Sequence, residues 1–174
     1  ACRRLEPGRY VSAMPPGQKR AAAFPSSDTL KALECFGDLF PLTAGANLVE
    51  NCLNSPNILT HLSGTLLNLG GIEQKKENFA LFTDGINDAY IRCLELLEEE
   101  RSKVLKALEM EWYAAPVRPF MNMLKERGTH PELEAFRNLS GPDGLNHRYI
   151  TEDAGCGVAL LVSLAEKCGV EVPV

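Results

Sequence analysis

A mainly α-helical domain preceded by a short β fragment is the fold class that this chain of 174 residues predicts, and three observations carry it. Apolar residues recur at helical spacing through most of the chain after Pro25. The segments so marked are bounded by residues that start or stop helices. Extended-chain signals are confined to the first 25 residues.

Before Pro25, Tyr10–Met14 and Lys19–Phe24 flank Pro15-Pro16-Gly17 and read as two extended segments around a turn. An isolated two-stranded ribbon is marginal in water, so these strands need a sheet to join. Asp28 caps a first helix to about Phe36, which Gly37 ends. Thr43 is expected to cap a second to about Leu53, and Asn57 to begin a third to about Leu69, closed by Gly70-Gly71. From about Asn87 to Glu109, Tyr90, Leu94, Leu97, Val104, Leu105 and Leu108 form one stripe opposite Glu95, Glu99, Lys103 and Lys106. Pro116 suits the first turn of a helix reaching Gly128, and Pro131 that of a shorter one ending near Phe136. Ser140–Gly144 is a loop, and a last helix runs from a Thr151 cap to Cys168, with Gly169 as its stop.

Composition narrows the function. Eighteen basic against 23 acidic residues leave a net charge of -5, and no run of Lys/Arg exceeds two, so the basic footprint of a nucleic-acid binder is missing. No apolar run reaches the roughly 20 residues of a membrane span. The six cysteines are scattered without finger or ribbon spacing, which favours free thiols in a reducing cytoplasm over disulfides or zinc. A soluble cytoplasmic protein is expected.

Two segments resist a purely structural reading. From Asn51 to Ile72 there is no Asp, Glu, Lys or Arg, which implies a helix buried on most sides. Along it Asn57, His61, Thr65 and Asn68 fall within a sector of about 80°, apart from the apolar Ile58, Leu62, Leu66 and Leu69. This polar stripe is expected to face a cleft or a partner. His61 is either a hydrogen-bonded interior group or a proton carrier, and the second role requires a carboxylate on its other nitrogen.

The second segment is His147-Arg148-Tyr149-Ile150-Thr151-Glu152-Asp153, leading through Ala154-Gly155-Cys156-Gly157 into an apolar helix. Ordinary capping accounts for the acids. It does not account for two early glycines, each costing about 0.5–1 kcal/mol in a helix unless something approaches the backbone closely. Arg148 either receives a substrate carboxylate or makes a structural salt bridge.

Taken in order, Asn57–His61, Leu67–Gly70 with Ile72-Glu73, Phe82 through Asp84-Gly85-Ile86, Glu100-Arg101, and Arg148–Asp153 with Gly157 resemble the C-terminal domain of the octopine/nopaline (opine) dehydrogenase family. The likeness runs from about Ala46 to the C-terminus, and the opening strands resemble the end of that family's nucleotide-binding domain. It implies residues 1–25 as the last strands of a Rossmann domain and residues 26–174 as an all-helical substrate domain, similar to the phosphogluconate dehydrogenase C-terminal domain. It also implies a longer NAD(P)-dependent enzyme that condenses a 2-oxo acid with the amino group of an amino acid.

Carried over, His61 matches the family's catalytic histidine, Asp153 its paired carboxylate, and Arg148 the substrate-carboxylate anchor. On this reading Asn57, Thr65 and Tyr149 join Arg148 at the substrate, Glu152, Gly155 and Gly157 lie beside NAD or NADP, and no metal is involved. The chain departs from the family where Leu62 and Gly155 stand in place of prolines, so substrate choice is expected to differ. No G-x-G-x-x-G motif follows a strand, so the dinucleotide fold is expected to lie elsewhere in the same protein, and this portion alone to be inactive.

Two other readings stand beside it. Relatives of ketopantoate reductase or glycerol phosphate dehydrogenase use a lysine for proton transfer, and none occurs between Asn51 and Ile72. A non-catalytic helical module would bury the polar stripe in a homodimer. Of the remaining candidates, Trp112-Tyr113 either line a pocket or pack at a helix end, Glu98–Arg101 is expected to be a solvated helix face, His130 an exposed loop residue, and His147 carries no assigned role.

Overall fold

The structure is a computed structural model and describes residues 2–12, 19–39 and 41–174. It is mainly helical, with short strands near its start. Strand β1 (Cys2–Glu6) pairs antiparallel with β2 (Arg9–Ser12), Arg4 opposite Tyr10, around a Pro7-Gly8 turn. Tyr10–Ser12 therefore pairs backwards along the chain, and the expected turn at Pro15-Pro16-Gly17 lies outside the described residues. Strand β3 (Lys19–Ala21) and β4 (Leu42–Ala44) are parallel, with helix α1 (Thr29–Phe36) in the connection between them. This is a βαβ unit, so Thr43 lies within a strand and caps nothing. The cap of the next helix is Asn47, whose side chain accepts from Glu50 N at 2.9 Å.

Helix α2 (Leu48–Leu53) leads through a tight turn into α3 (Asn57–Leu66). Within the uncharged stretch Ile58–His61 and Ser63–Thr65 are buried, but the stretch is divided among α2, α3 and a further helix, and Leu66 and Leu67 are about half exposed. Helix α3 stops earlier than expected, and Asn68 marks the break: its amide donates to Gly64 O at 2.9 Å and Gly85 O at 3.1 Å. Gly70-Gly71 does not close this helix but lies in the first turn of α4 (Leu69–Lys75). Burial of Ile72 offsets the low helix propensity of the glycines there.

After α5 (Leu81–Asp84), helix α6 (Asp88–Ala107) forms the centre of the molecule, and Asn87 caps it by accepting from Tyr90 N at 2.9 Å. The expected stripe is the buried one: Tyr90, Leu94, Val104 and Leu105 are fully or nearly fully enclosed, with Leu97 and Leu108 at its margins. Helices α3, α7 (Val117–Lys125) and α10 (Ala159–Cys168) pack on it. Each such Leu removed from water contributes about 2 kcal/mol. Because α6 is surrounded, Glu98–Arg101 is not the solvated face its charges suggest; Glu98, Glu100 and Arg101 are buried. Glu98 accepts from Val117 N at 3.1 Å and so caps α7, Glu100 accepts from Val174 N at 2.8 Å, and Arg101 donates to Ser55 O at 3.3 Å.

A short helix α8 (Glu134–Arg137) follows α7. Arg137 stitches the two together, donating to the carbonyls of Leu124, His130, Met123 and Glu126. The last helical stretch begins a turn earlier than expected, as α9 (Arg148–Thr151). Its cap is not Thr151 but His147, whose Nδ1 accepts from Tyr149 N at 3.3 Å. Asp153–Val158 then winds as a π-helix before α10, which Gly169 ends in the left-handed conformation at φ 66°. No helix among the described residues is long and apolar enough to cross a membrane.

Candidate functional site

Helix α3 and the π-turn cross, and His61 meets Asp153 at the crossing. The imidazole Nδ1 lies 2.7 Å from Asp153 Oδ2, with side chains only 6% and 16% exposed. A neutral imidazole held this way carries its proton on Nδ1 and leaves Nε2 as the free acceptor. Burial lowers the His61 pKa below its ordinary value; the Asp153 hydrogen bond and charge oppose this, while the positive charge of Arg148 and the neighbouring His147 add to it.

Two backbone features put the pair together. One turn from His61 along α3, Ile58 packs on Gly157, where a Cβ would collide with the Ile58 side chain. The glycine thus admits α3 close against the π-turn, and the wide turn places Asp153 on the face that meets the histidine. On the same face the Tyr149 ring lies parallel to the imidazole, with centroids 3.5 Å apart and planes 10° from coplanar. The His147 ring meets Tyr149 edge-on at 4.5 Å, and the Arg148 guanidinium lies 5.2 Å from the Tyr149 centroid.

The expected site residues separate into three groups. His61, Asp153, Tyr149 and Arg148 come together; Arg148 is exposed and makes no ion pair among the described residues. Thr65 does not reach a cleft: it is fully buried and its hydroxyl donates to His61 O at 2.8 Å, so the expected substrate contact is corrected to a bond within α3. Asn68 is likewise held by carbonyls, and the polar stripe is for the most part satisfied internally. Asn57, Glu152 and Gly155 are surface positions, whereas Gly157 is partly exposed and has Ile58 packed where a Cβ would stand. A Cβ at Gly155 would meet nothing within 4 Å. Of the residues expected beside a cofactor, Glu152 and Gly155 are open to one approaching from solvent.

A second polar constellation was not anticipated. A cleft of about 420 Å³ is lined by Arg20 of β3, Asn51 of α2, Asn54 just after it, and Tyr113 from the segment between α6 and α7. Tyr113 therefore does line a cavity: its hydroxyl donates to Asn51 Oδ1 at 2.7 Å, and the Arg20 guanidinium sits 4.1 Å above its ring. Beneath it the Asn54 amide makes four hydrogen bonds, donating to Glu50 O and Glu111 O and accepting from Tyr113 N and Ala114 N. Glu50 and Asn54, four residues apart, could have signalled a polar face of α2. Nothing in the sequence tells which distant backbone they bind.

Fold and site together define a mainly helical domain that carries a buried histidine paired with a partly buried carboxylate, with an exposed arginine on the adjoining turn. Residues 44–174 match the family described as NAD/NADP octopine/nopaline dehydrogenase, alpha-helical domain, and the chain belongs to that family. It is similar to an opine dehydrogenase of Arthrobacter sp. (strain 1C), 28% identical over 181 residues that cover 99% of this chain and 49% of that protein. Protein ocs of Agrobacterium tumefaciens (strain Ach5) is 26% identical over 130 residues, covering 69% of this chain and 35% of that one. A vitopine synthase of Allorhizobium ampelinum is 25% identical over 130 residues, 69% of this chain and 34% of the other. The chain spans about half the length, or less, of these relatives.

Proposed function

We propose that this chain is the substrate-side domain of an opine dehydrogenase-like oxidoreductase that reductively condenses a 2-oxo acid with the amino group of an amino acid. The observation that carries the reading is the 2.7 Å contact between buried His61 and Asp153. Protonated His61 gives its Nε2 proton to the carbinolamine hydroxyl, which leaves as water as the C–O bond breaks and the C=N bond forms. In the reverse direction the neutral ring takes a proton from the water that attacks the imine. Asp153 holds the tautomer and balances the imidazolium that forms. Arg148, uncommitted to any carboxylate among the described residues, anchors the acid group of the substrate. NAD or NADP, when bound, supplies the hydride.

That dinucleotide is held mainly by an N-terminal Rossmann domain of the same protein, to which the opening strands belong. Because β3 pairs with β4 at Leu42–Ala44, that part extends past the expected boundary at residue 25, and residues 26–174 are not all helical. In support, β3 and β4 form a two-stranded parallel sheet, an arrangement that ordinarily belongs to a larger covered sheet. Phe24, Leu30 and Leu39 nearby are 89%, 69% and 69% exposed, an apolar surface suited to a covering domain. The test is oxidation of NADH and NADPH by the intact protein against a grid of 2-oxo acids and amino acids. Turnover that needs both substrates, and is lost in His61→Asn with the fold intact, is the expected result. Turnover with a 2-oxo acid alone would make it a hydroxy-acid dehydrogenase instead.

A further inference from the structure

We infer that Tyr149 is a positioning residue for His61, fixing the plane of the imidazole so that Nε2 keeps one direction; this rests on the proton-transfer reading above. A single hydrogen bond leaves a ring free to swing about the bond axis, so the 2.7 Å contact with Asp153 fixes where Nδ1 sits but not the tilt of the ring. The Tyr149 ring, 3.5 Å away and within 10° of parallel, removes that second freedom.

Tyr149 is itself braced. It is 5% exposed, its backbone N–H donates to His147 Nδ1 at 3.3 Å, and the His147 ring stands at 90° to it. Tyr149 in α9 and Asp153 at the start of the following π-turn are four residues apart, so the in-plane and out-of-plane constraints come from successive turns of the chain. Proton transfer to a bound substrate depends on such alignment, because small misplacements of a catalytic group cost orders of magnitude in rate. The buried ring is therefore not primarily a substrate contact, and its role is carried by its face, not by its hydroxyl.

The experiment compares Tyr149→Leu, Tyr149→Phe and His61→Asn in the intact protein, alongside NMR relaxation of the His61 ring in the wild type. Tyr149→Leu is expected to lower kcat by about 10- to 100-fold with KM within about twofold, and Tyr149→Phe to restore most of that loss. The wild-type imidazole is expected to be as rigid as the backbone, with an order parameter of about 0.85. Equal damage by Phe and Leu with a raised KM would assign the hydroxyl to substrate and overturn the inference, as would a mobile wild-type ring, which needs no variant to fold. If Tyr149→Leu is normal while His61→Asn is dead, only the positioning role falls. If His61→Asn itself turns over normally, the proton-transfer reading falls with it.

Discussion

Ile58 rests on the bare backbone of Gly157, and one helical turn away His61 meets Asp153. The first contact sets the distance at which the second can form. Gly157→Ala is expected to push α3 off the π-turn, destabilise the protein by about 1–3 kcal/mol and cut activity beyond what stability explains. Gly155→Ala, at a position with open space around it, should be neutral or slightly stabilising. Melting temperature and kcat of the two variants check this; equal behaviour would separate the glycine contact from the site.

Folding stability should fall on acidification through the histidine range. His61 titrates below its ordinary value in the folded protein, mainly through burial, so the unfolded chain binds its proton first as pH drops. The stability this confers is full above about pH 6.5 and is lost as pH falls through the folded-state pKa. His147 is shifted the same way, again mainly by burial, so His61→Gln should remove part of the dependence and not all of it. Denaturation curves between pH 5 and 8 for the wild type and the variant give the comparison.

The pH dependence of turnover has opposite signs in the two directions. Condensation needs protonated His61 and should slow as pH rises through its pKa, whereas the oxidative direction needs the neutral ring and should speed up. Asp153 raises the His61 pKa against burial, Arg148 and His147, so Asp153→Asn should move both limbs to lower pH. It should also lower kcat by about 100-fold or more through loss of the held tautomer. Unmoved limbs would show that another group titrates.

Asn54 is expected to matter for stability and little for chemistry. Asn54→Ala would leave Glu50 O, Glu111 O, Tyr113 N and Ala114 N without their buried partner, at a cost of about 2–4 kcal/mol. Chemical denaturation measures the loss, and KM for both substrates should change little once folded protein is counted.

Much of the fold was legible because local rules govern it. The helix start near Asn87, the Tyr90–Leu105 stripe and the Gly169 stop are properties of short sequence windows, and each appears where those windows place it. The failures are equally specific. Thr43 looks like a cap until β3 arrives to pair with it, and Glu98–Arg101 looks solvated until α7 and the α2–α3 turn enclose it. In both cases a distant segment supplies the hydrogen bonds that override the local preference.

The sequence by itself determined a helical chain with one uncharged, buried helix carrying a histidine, a carboxylate-rich turn near its end, and a likeness to a known dehydrogenase family. Tertiary structure decided that His61 and Asp153, 92 positions apart, meet at 2.7 Å, that Tyr149 lies flat on the imidazole, and that Thr65 is spent inside its own helix. The physical reason is that periodicity fixes which residues share a face of one helix, whereas contact across helices depends on how closely two backbones approach. That approach is set here by Ile58 against Gly157.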